Sequence, residues 1–359
     1  MYPGLAVVQA LDAGRLNSEN ERQPLEVLYV GGEGGVEEAL VGRAGLPFAS
    51  IPAAGVHGVA FVQAIRNLYK LVRGCLAAYR LGRREKPSVL FVTGGYASVP
   101  VALACWVLRT PIMVYLPDIE PGLAVRFLAI LSTRVAVTVE QSREYFPRRK
   151  TTVTGYPVRP EFRAVERCQA AKSLGLQASA PVLLVLGGSR GARSINRAIT
   201  QVLSEMLEIT QIIHISGQLD WSWVSELGEA LAPELAERYR AYPYLHEEMG
   251  AAMAAADLVV CRSGASTLGE LPYFGLPAVL VPYPHAWRYQ RTNAEWLVAR
   301  RAARLVEDDC LSSDLLPVLQ QLLQDEDTLA EMRKASSAMA EPDAATRLAN
   351  ELLAMVQRG

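Results

Sequence analysis

Apolar residues run almost unbroken through four short segments of the first half of the chain, "LEVLYV" (25–30), "VLFVT" (89–93), "PIMVYL" (111–116) and "RVAVTV" (134–139). Four more follow in the second half, "PVLLVLGG" (181–188), "QIIHISG" (211–217), "DLVVCRSG" (257–264) and "PAVLVPYP" (277–284). Short β-branched runs without polar alternation mark strands buried on both faces, and the stretches between them carry apolar residues at helical spacing. Alternating strands and helices predict an α/β fold with one helix-covered parallel sheet in each half. The pattern breaks in "VTGYPVRPEF" (153–162), where two prolines and a glycine interrupt it. The expected division is therefore an N-terminal domain of 1–154, a C-terminal domain of 155–340, and a last helix, 341–359, packing back towards the N-terminal domain. The opening "MYPGLAVVQALDAG" itself reads as a helix, with Pro3 in its first turn and Leu5, Val8, Ala10 and Leu11 on one face. The strand that would feed this helix is expected upstream of residue 1.

Composition narrows the functional classes. A chain of 359 residues suits two domains, and half of its residues are hydrophobic, as in ordinary globular proteins. A net charge of −1 gives no global basic field, so no nucleic-acid partner is expected. Five cysteines, far apart and without CxxC spacing, fit reduced thiols better than a disulfide frame or a zinc site, and no metal centre is expected. The longest apolar run, "ASVPVALACWVL", falls short of the roughly 18 residues of a membrane span, and no basic, cleavable leader opens the chain. A cytoplasmic location is expected.

Ligands of open parallel sheets bind beyond the carboxyl ends of the strands, which in a two-domain chain points to the cleft between the domains. In "LLVLGGSRGARSIN" a strand runs into Gly187, Gly188, Ser189, Arg190 and Gly191 before a helix begins. This is either a tight strand-to-helix turn or a phosphate cradle built on a helix N-terminus, and it matches neither the Walker pattern nor G-x-G-x-x-G. In "CRSGASTLGELPYFGLPAVLVPYPHAWRYQRTNAEW", Gly264, Ala265 and Ser266 repeat the arrangement. Glu270 then either closes a capping box with Thr267 or accepts hydrogen bonds from the vicinal hydroxyls of a ribose. His285, Arg288, Gln290 and Asn293 suit sugar hydroxyls or a solvated helix start. In the first half "FVTGGYASVPVALA" offers Thr93, Gly94, Gly95, Tyr96 and Ser98 at another helix start. Together these loops point to a nucleotide diphosphate donor opposite a second phosphorylated ligand.

The strings "TGGYASVPVALA", "VTGYPVRPEF", "GGSRGARSIN" and "CRSGA…E…GLP…P…H…Q…N", in this order, resemble glycosyltransferase family 28 of the MurG type. These bacterial enzymes add N-acetylglucosamine to undecaprenyl-diphosphate-linked muramoyl-pentapeptide. The resemblance covers nearly the whole chain, and its last string discriminates best. It implies the GT-B fold, two Rossmann-like doubly wound parallel-sheet domains facing a central cleft, with the lipid acceptor in the first and UDP-N-acetylglucosamine (UDP-GlcNAc) in the second. It implies inverting transfer in peptidoglycan synthesis without a resident cofactor, Mg²⁺ assistance staying open, at the cytoplasmic face of the cell membrane. By position, Ser189, Arg190 and Gly191 with Ala265 and Ser266 would hold the diphosphate, Glu270 the ribose and Gln290 the transferred sugar. The backbone at Leu245 and His246 would meet the uracil, Arg159 would lie near the donor, and Tyr96 and Ser98 would line the acceptor side.

The family pattern is broken in places. Family members begin with a strand and a GGTGGH loop; this sequence starts just after that point, so the segment is expected upstream and the chain as it stands is expected to be a poor transferase. Tyr115, Leu116, Pro117 and Asp118 stand where the family has His-Glu-Gln-Asn, Arg190 where Gln is frequent, and Tyr289 where the first of two glutamines is common; Pro272 is also unusual. Asp118 is the carboxylate that the resemblance places on the acceptor side, as catalytic base or as a cap of the turn at Pro121 and Gly122. A transferase acting on another lipid, or a non-catalytic UDP-sugar-binding protein, are the alternatives.

The stretch "GVAFVQAIRNLYKLVRGCLAAYRLGRREKP" (58–87) sets Phe61, Ile65, Leu68, Leu71, Val72 and Leu76 at helical spacing. Arg66, Lys70, Arg73, Arg80, Arg83, Arg84 and Lys86 lie among or after them, with Glu85 as the one acid. This reads as a core-facing helix with a solvated basic end, or as a helix drawn to an anionic membrane surface.

Overall fold

A computed structural model describes the chain except residues 1, 17–24, 35–36, 54–60, 160, 163–164, 178–179, 189–190, 286–288 and 358–359. Two compact units result, Met1–Arg159 with Asp343–Gly359, and Pro160–Pro342. The break thus falls after Arg159 rather than after residue 154, and the Thr154 and Gly155 carbonyls still accept bonds within the first unit, from Arg347 Nε and the Tyr115 hydroxyl.

Among the described residues the first unit holds the strands β1 (Tyr29–Gly32), β2 (Phe48–Ile51), β3 (Leu90–Val92), β4 (Ile112–Leu116), β5 (Arg134–Val137) and β6 (Thr151–Val153). Where the sequence pattern predicts one sheet, the described residues form two, a parallel β1-β2 pair and a parallel β3-β4-β5-β6 sheet. A shared core joins them, since Val30 and Ile51 pack with Val92, Ile112 and Val114.

The alternation of side chains along β4 explains the layers. Ile112, Val114 and Leu116 face one core, closed by the helices Phe61–Glu85, Ser98–Val107 and Leu123–Leu131 through Ala78, Ala102, Cys105, Val125 and Leu128. Met113 and Tyr115 face the other, closed by the first and last helices, Tyr2–Leu16 and Ala344–Val356, through Val7, Leu348, Leu352 and Met355. Tyr115 is fully buried, its hydroxyl 2.9 Å from Thr138 Oγ1 and 3.1 Å from the Gly155 carbonyl oxygen. Burial pushes its phenol far above the ordinary value.

In the second unit β7 (Val182–Leu186), β8 (Gln211–Ile215), β9 (Tyr239–Tyr242), β10 (Leu258–Cys261), β11 (Ala278–Leu280) and β12 (Ala303–Leu305) form one parallel sheet in the order β12-β11-β10-β7-β8-β9. From β7 the chain winds outward through β8 and β9, then crosses back to place β10 against the other edge of β7. The carboxyl ends of β7 and β10 therefore flank a topological switch point, where no crossover connection covers the crevice. Leu183, Val185, Ile212, Val260 and Val279 bury one face of this sheet under the helices Arg193–Gln201, Leu203–Ile209 and Leu311–Gln324.

Because the Tyr115 hydroxyl is the polar tip of a core residue, Tyr115→Phe should destabilise the protein by about 1–2 kcal/mol, the range for losing a buried hydrogen bond. Urea unfolding checks this, and an unchanged midpoint would show that the bond contributes nothing net.

Candidate functional site

Three loops meet at the switch point. After β7 the chain turns through Gly187 and Gly188, and Gly191 leads into the Arg193–Gln201 helix. Gly191 has φ +80°, and a Cβ there would run into the Ser216 carbonyl at the end of β8. A Cβ at Gly187 would run into the backbone of Ala192, so both positions are closed to any side chain. The helix opens from an extended Ala192 with no side chain capping it. Its first-turn N–H groups are thereby left for solvent or an anion. Ser189 and Arg190 lie outside the described residues.

The second loop joins β10 to the Thr267–Phe274 helix. The capping-box alternative for Glu270 does not form. The Thr267 N–H and hydroxyl both donate to the Gly264 carbonyl, at 3.0 and 2.6 Å, and the N-cap is one residue earlier, at Ser266, without a side-chain cap hydrogen bond. Glu270 is a carboxylate only 8% exposed, on the first turn of a helix that starts at the switch point. Ala265 and Ser266, partly buried, form the turn itself.

The third loop brings Gln290 against this turn. Gln290 Oε1 accepts from the Tyr283 N–H at 2.9 Å, and its carbonyl accepts from Ser263 Oγ at 2.7 Å. Asn293 Nδ2 donates to the Ser263 carbonyl at 3.1 Å, so Asn293 holds the turn and is fully buried. His285 is exposed, and Arg288 lies outside the described residues. After β9, Leu245 is buried while His246 is exposed, its ring 4.5 Å from that of Tyr244.

The remaining expected residues belong to the first unit. Tyr96 is exposed, and Ser98 Oγ donates to the Gly94 carbonyl at 2.6 Å, within its own loop. Asp118 follows β4 and is half-buried. The next helix, Leu123–Leu131, begins at Gly122 with no side-chain cap, so Asp118 does not cap it. The Arg159 guanidinium stacks 4.7 Å over the ring of Tyr2.

Residues 1–137 match the glycosyltransferase family 28 N-terminal domain and residues 182–348 its C-terminal domain. The chain belongs to glycosyltransferase family 28. It is 41% identical to the UDP-N-acetylglucosamine--N-acetylmuramyl-(pentapeptide) pyrophosphoryl-undecaprenol N-acetylglucosamine transferase of Roseiflexus sp. (strain RS-1), over 100% of this chain and 93% of that protein. It is 38% identical to the transferase of the same name from Desulforudis audaxviator (strain MP104C), over 96% and 92%. Among solved structures, Acinetobacter baumannii MurG superposes with a TM-score of 0.74 at 23% identity, over 98% of this chain and 95% of that one. UDP-GlcNAc 2-epimerase from Neisseria meningitidis bound to UDP-GlcNAc gives 0.65 at 12% identity, over 98% and 97%. These likenesses carry the fold, GT-B with two Rossmann-like α/β domains.

Behind the glycine loop of this family 28 chain lies a polar network that the strand pattern does not announce. His214, in the middle of β8 and fully buried, sets Nδ1 2.7 Å from the Tyr239 hydroxyl and Nε2 3.0 Å from Asn196 Oδ1. Asn196 Nδ2 donates to the Ser216 carbonyl at 2.8 Å and to Asp220 Oδ2 at 2.9 Å, and Arg193 Nε donates to Asp220 Oδ1 at 2.8 Å. With both amide protons of Asn196 committed, its oxygen must accept; His214 therefore carries its proton on Nε2, and Nδ1 accepts from Tyr239. Burial pushes the imidazole down to about 4. Burial alone would raise Asp220, but hydrogen bonds from Arg193, Asn196 and Trp223 outweigh it and hold the carboxyl below its usual value.

A histidine buried neutral makes stability depend on pH. The unfolded chain takes up the proton below the ordinary value of 6.5 and the folded one only near 4, so stability should fall as pH drops across that window. The full loss is on the order of 3 kcal/mol. Urea unfolding at pH 7.5, 6, 5 and 4 measures it, and an equal slope in His214→Gln would assign the loss to other groups.

Proposed function

We propose that the chain is an inverting glycosyltransferase that moves N-acetylglucosamine from UDP-GlcNAc to lipid-linked undecaprenyl-diphosphate-muramoyl-pentapeptide, making lipid II from lipid I in peptidoglycan synthesis. The observation that carries this reading is the end-to-end similarity to transferases named for that reaction, at up to 41% identity. The geometry of the second unit supports it, with two uncapped helix starts and a buried carboxylate at one switch point.

In this reading Ser189, Arg190 and Gly191, with Ala265 and Ser266, hold the diphosphate. Glu270 accepts hydrogen bonds from the ribose hydroxyls, the backbone at Leu245 and His246 meets the uracil, and Gln290 binds the transferred sugar. Arg159 lies near the donor, while Tyr96 and Ser98 line the acceptor side. The acceptor hydroxyl attacks the anomeric carbon, its proton passes to a base, and the bond from that carbon to the diphosphate oxygen breaks. Charge then develops on the departing UDP, where helix N-termini stabilise it most. Asp118 is the base in this reading, half-buried just beyond the carboxyl end of β4.

The test is transfer of labelled N-acetylglucosamine to the lipid-linked muramoyl-pentapeptide, with titration of UDP beside it. Glu270→Ala should weaken UDP binding by about 1–3 kcal/mol, the range for hydrogen bonds to a charged group. Calorimetry with unchanged affinity in a folded Glu270→Ala protein would remove the ribose role. Transfer to another lipid in place of the muramoyl-pentapeptide would point to a different acceptor.

A lipid-linked acceptor has to be reached at a membrane, and we assign that contact, on an anionic cytoplasmic surface, to the first unit. The Phe61–Glu85 helix turns Asn67, Gly74 and Ala78 inward and leaves Tyr69, Val72 and Leu76 exposed. Lys70, Arg73, Arg80, Arg83 and Arg84 are exposed beside them. The Phe61, Ile65, Arg66 and Leu68 side chains lie outside the described residues. In the same helical layer Trp106, Val107, Leu123, Phe127 and Ile130 are exposed, Ile130 by 77%. Among the described residues no helix is long and apolar enough to cross a membrane. Apolar side chains interleaved with cations suit reversible interfacial binding, each basic residue near the surface contributing about 1 kcal/mol. Replacing Arg80, Arg83 and Arg84 by Ser should cut cosedimentation with anionic vesicles and leave binding to neutral vesicles unchanged. Binding indifferent to lipid charge, salt and these substitutions would exclude this surface.

A further inference from the structure

Arg262, between β10 and the Ser263–Ser266 turn, is tied to each element that borders the switch point on that side. Its Nη1 donates to Asp308 Oδ1 at 2.5 Å and to the carbonyls of Val281 and Pro282 at 3.2 and 3.4 Å. Nη2 donates to Ser194 Oγ at 2.7 Å, and the Ser194 hydroxyl donates in turn to Asp308 Oδ1 at 2.7 Å, closing a triangle. The ring of Tyr283 covers the guanidinium at 5.3 Å. The two charged side chains are only 12% and 23% exposed. Each contact leads to a different loop. Ser194 sits in the first turn of the helix fed by the glycine loop, Arg262 precedes the turn that leads to Glu270, and Tyr283 holds Gln290 through its N–H. Among the described residues, Asp308, beyond β12, is hydrogen-bonded to those loops through this triangle alone.

We infer that Asp308 is a positioning residue which, through Arg262 and Ser194, fixes the spacing between the glycine-loop helix and the Ser263–Ser266 turn, and thereby the grip on a nucleoside diphosphate. This rests on the UDP reading above. A diphosphate has to be held from both sides of the switch point at once, so a change in spacing weakens it directly. A nucleoside, held at Glu270 and at the Leu245–His246 backbone, does not span the two helix starts. The planar fork of arginine serves four acceptors in one rigid geometry, which a lysine ammonium on its flexible stem does not reproduce. Removing Asp308 leaves a mostly buried guanidinium without its counter-charge, and Arg262 must then turn away from Ser194 to find solvent.

The experiment is calorimetric titration of the full chain with UDP and, separately, with uridine, using the unaltered protein, Asp308→Ala, Asp308→Asn and Ser194→Ala. Thermal melting confirms that each variant is folded. Asp308→Ala should weaken UDP by about tenfold or more while uridine stays within about twofold, as expected for losing hydrogen bonds to a charged group that act on the diphosphate alone. Asp308→Asn, which keeps an acceptor oxygen for Arg262 and Ser194, should recover most of the loss. Ser194→Ala, which keeps the ion pair and gives a readout if Asp308→Ala does not fold, should shift UDP in the same direction by a smaller factor. UDP affinity unchanged in folded Asp308→Ala or Ser194→Ala, or UDP and uridine weakening together, would overturn the inference. An unaltered protein that binds no UDP would instead sink the nucleotide reading on which the inference stands.

Discussion

The reversal of winding between β7 and β10 is the constraint on which the second unit depends. Two neighbouring strands of one parallel sheet end side by side with their onward chains departing in opposite directions, so no crossover helix covers the crevice between them. The crevice has to be walled by the loop at the end of each strand. On one side that is a turn in which Gly187 and Gly191 touch neighbouring backbone, and on the other a turn closed by Thr267 on Gly264. Both feed helices that begin without a side-chain cap. A cap at either start would occupy the N–H groups that an anionic ligand needs, so in the proposed reading the missing caps are a structural cost that a bound phosphate would offset.

The inner strands are legible in the sequence because burial on both faces removes polar alternation. β4, β5, β7, β8, β10 and β11 all lie within apolar runs, and each has a neighbour on both sides. The strands the pattern misses are β2, β6, β9 and β12, and each is an edge. An edge strand is short and half solvated, and it tolerates polar residues: β9 reads Tyr-Arg-Ala-Tyr, with Arg240 bonded to the carbonyl of Gly175, and β6 reads Thr-Thr-Val. The same blindness sets the expected domain break beside Thr154 and Gly155, although both carry bonds of the first unit, to Arg347 and to Tyr115.

At the site, the glycine turns and Gln290 fall on the loops the sequence singles out, while the alternatives for Glu270 separate only in the folded chain. A Thr-x-x-Glu spacing cannot reveal that the N-cap is one residue earlier, at Ser266, and that the Thr267 N–H is already taken by Gly264. Nor does spacing reveal Asp308, whose partners are 46 and 114 residues away in sequence. The His214 network does leave a trace. A histidine inside the apolar run "QIIHISG" is a polar group that burial forces to find partners, and Asn196 and Tyr239 supply them from elements outside that strand.

The two buried networks act on one object. Arg193 and Asn196 reach from the glycine-loop helix towards Asp220, His214 and the end of β8, while Ser194, between them, reaches the opposite way to Arg262 and Asp308. The first turn of the helix is thus braced from both sides by side chains, and none of them caps it. Each cation in the brace is matched by a carboxylate, Arg193 by Asp220 and Arg262 by Asp308. Of the two guanidinium groups, that of Arg262 is mostly buried in its brace, while that of Arg193 stays largely exposed. In the proposed reading the first-turn backbone N–H groups meet the anion beside Ser189 and Arg190, and the brace orients them before the ligand arrives. Such fixed dipoles need no reorganisation as charge develops on a leaving diphosphate, which is the condition under which electrostatic stabilisation is worth most to a displacement.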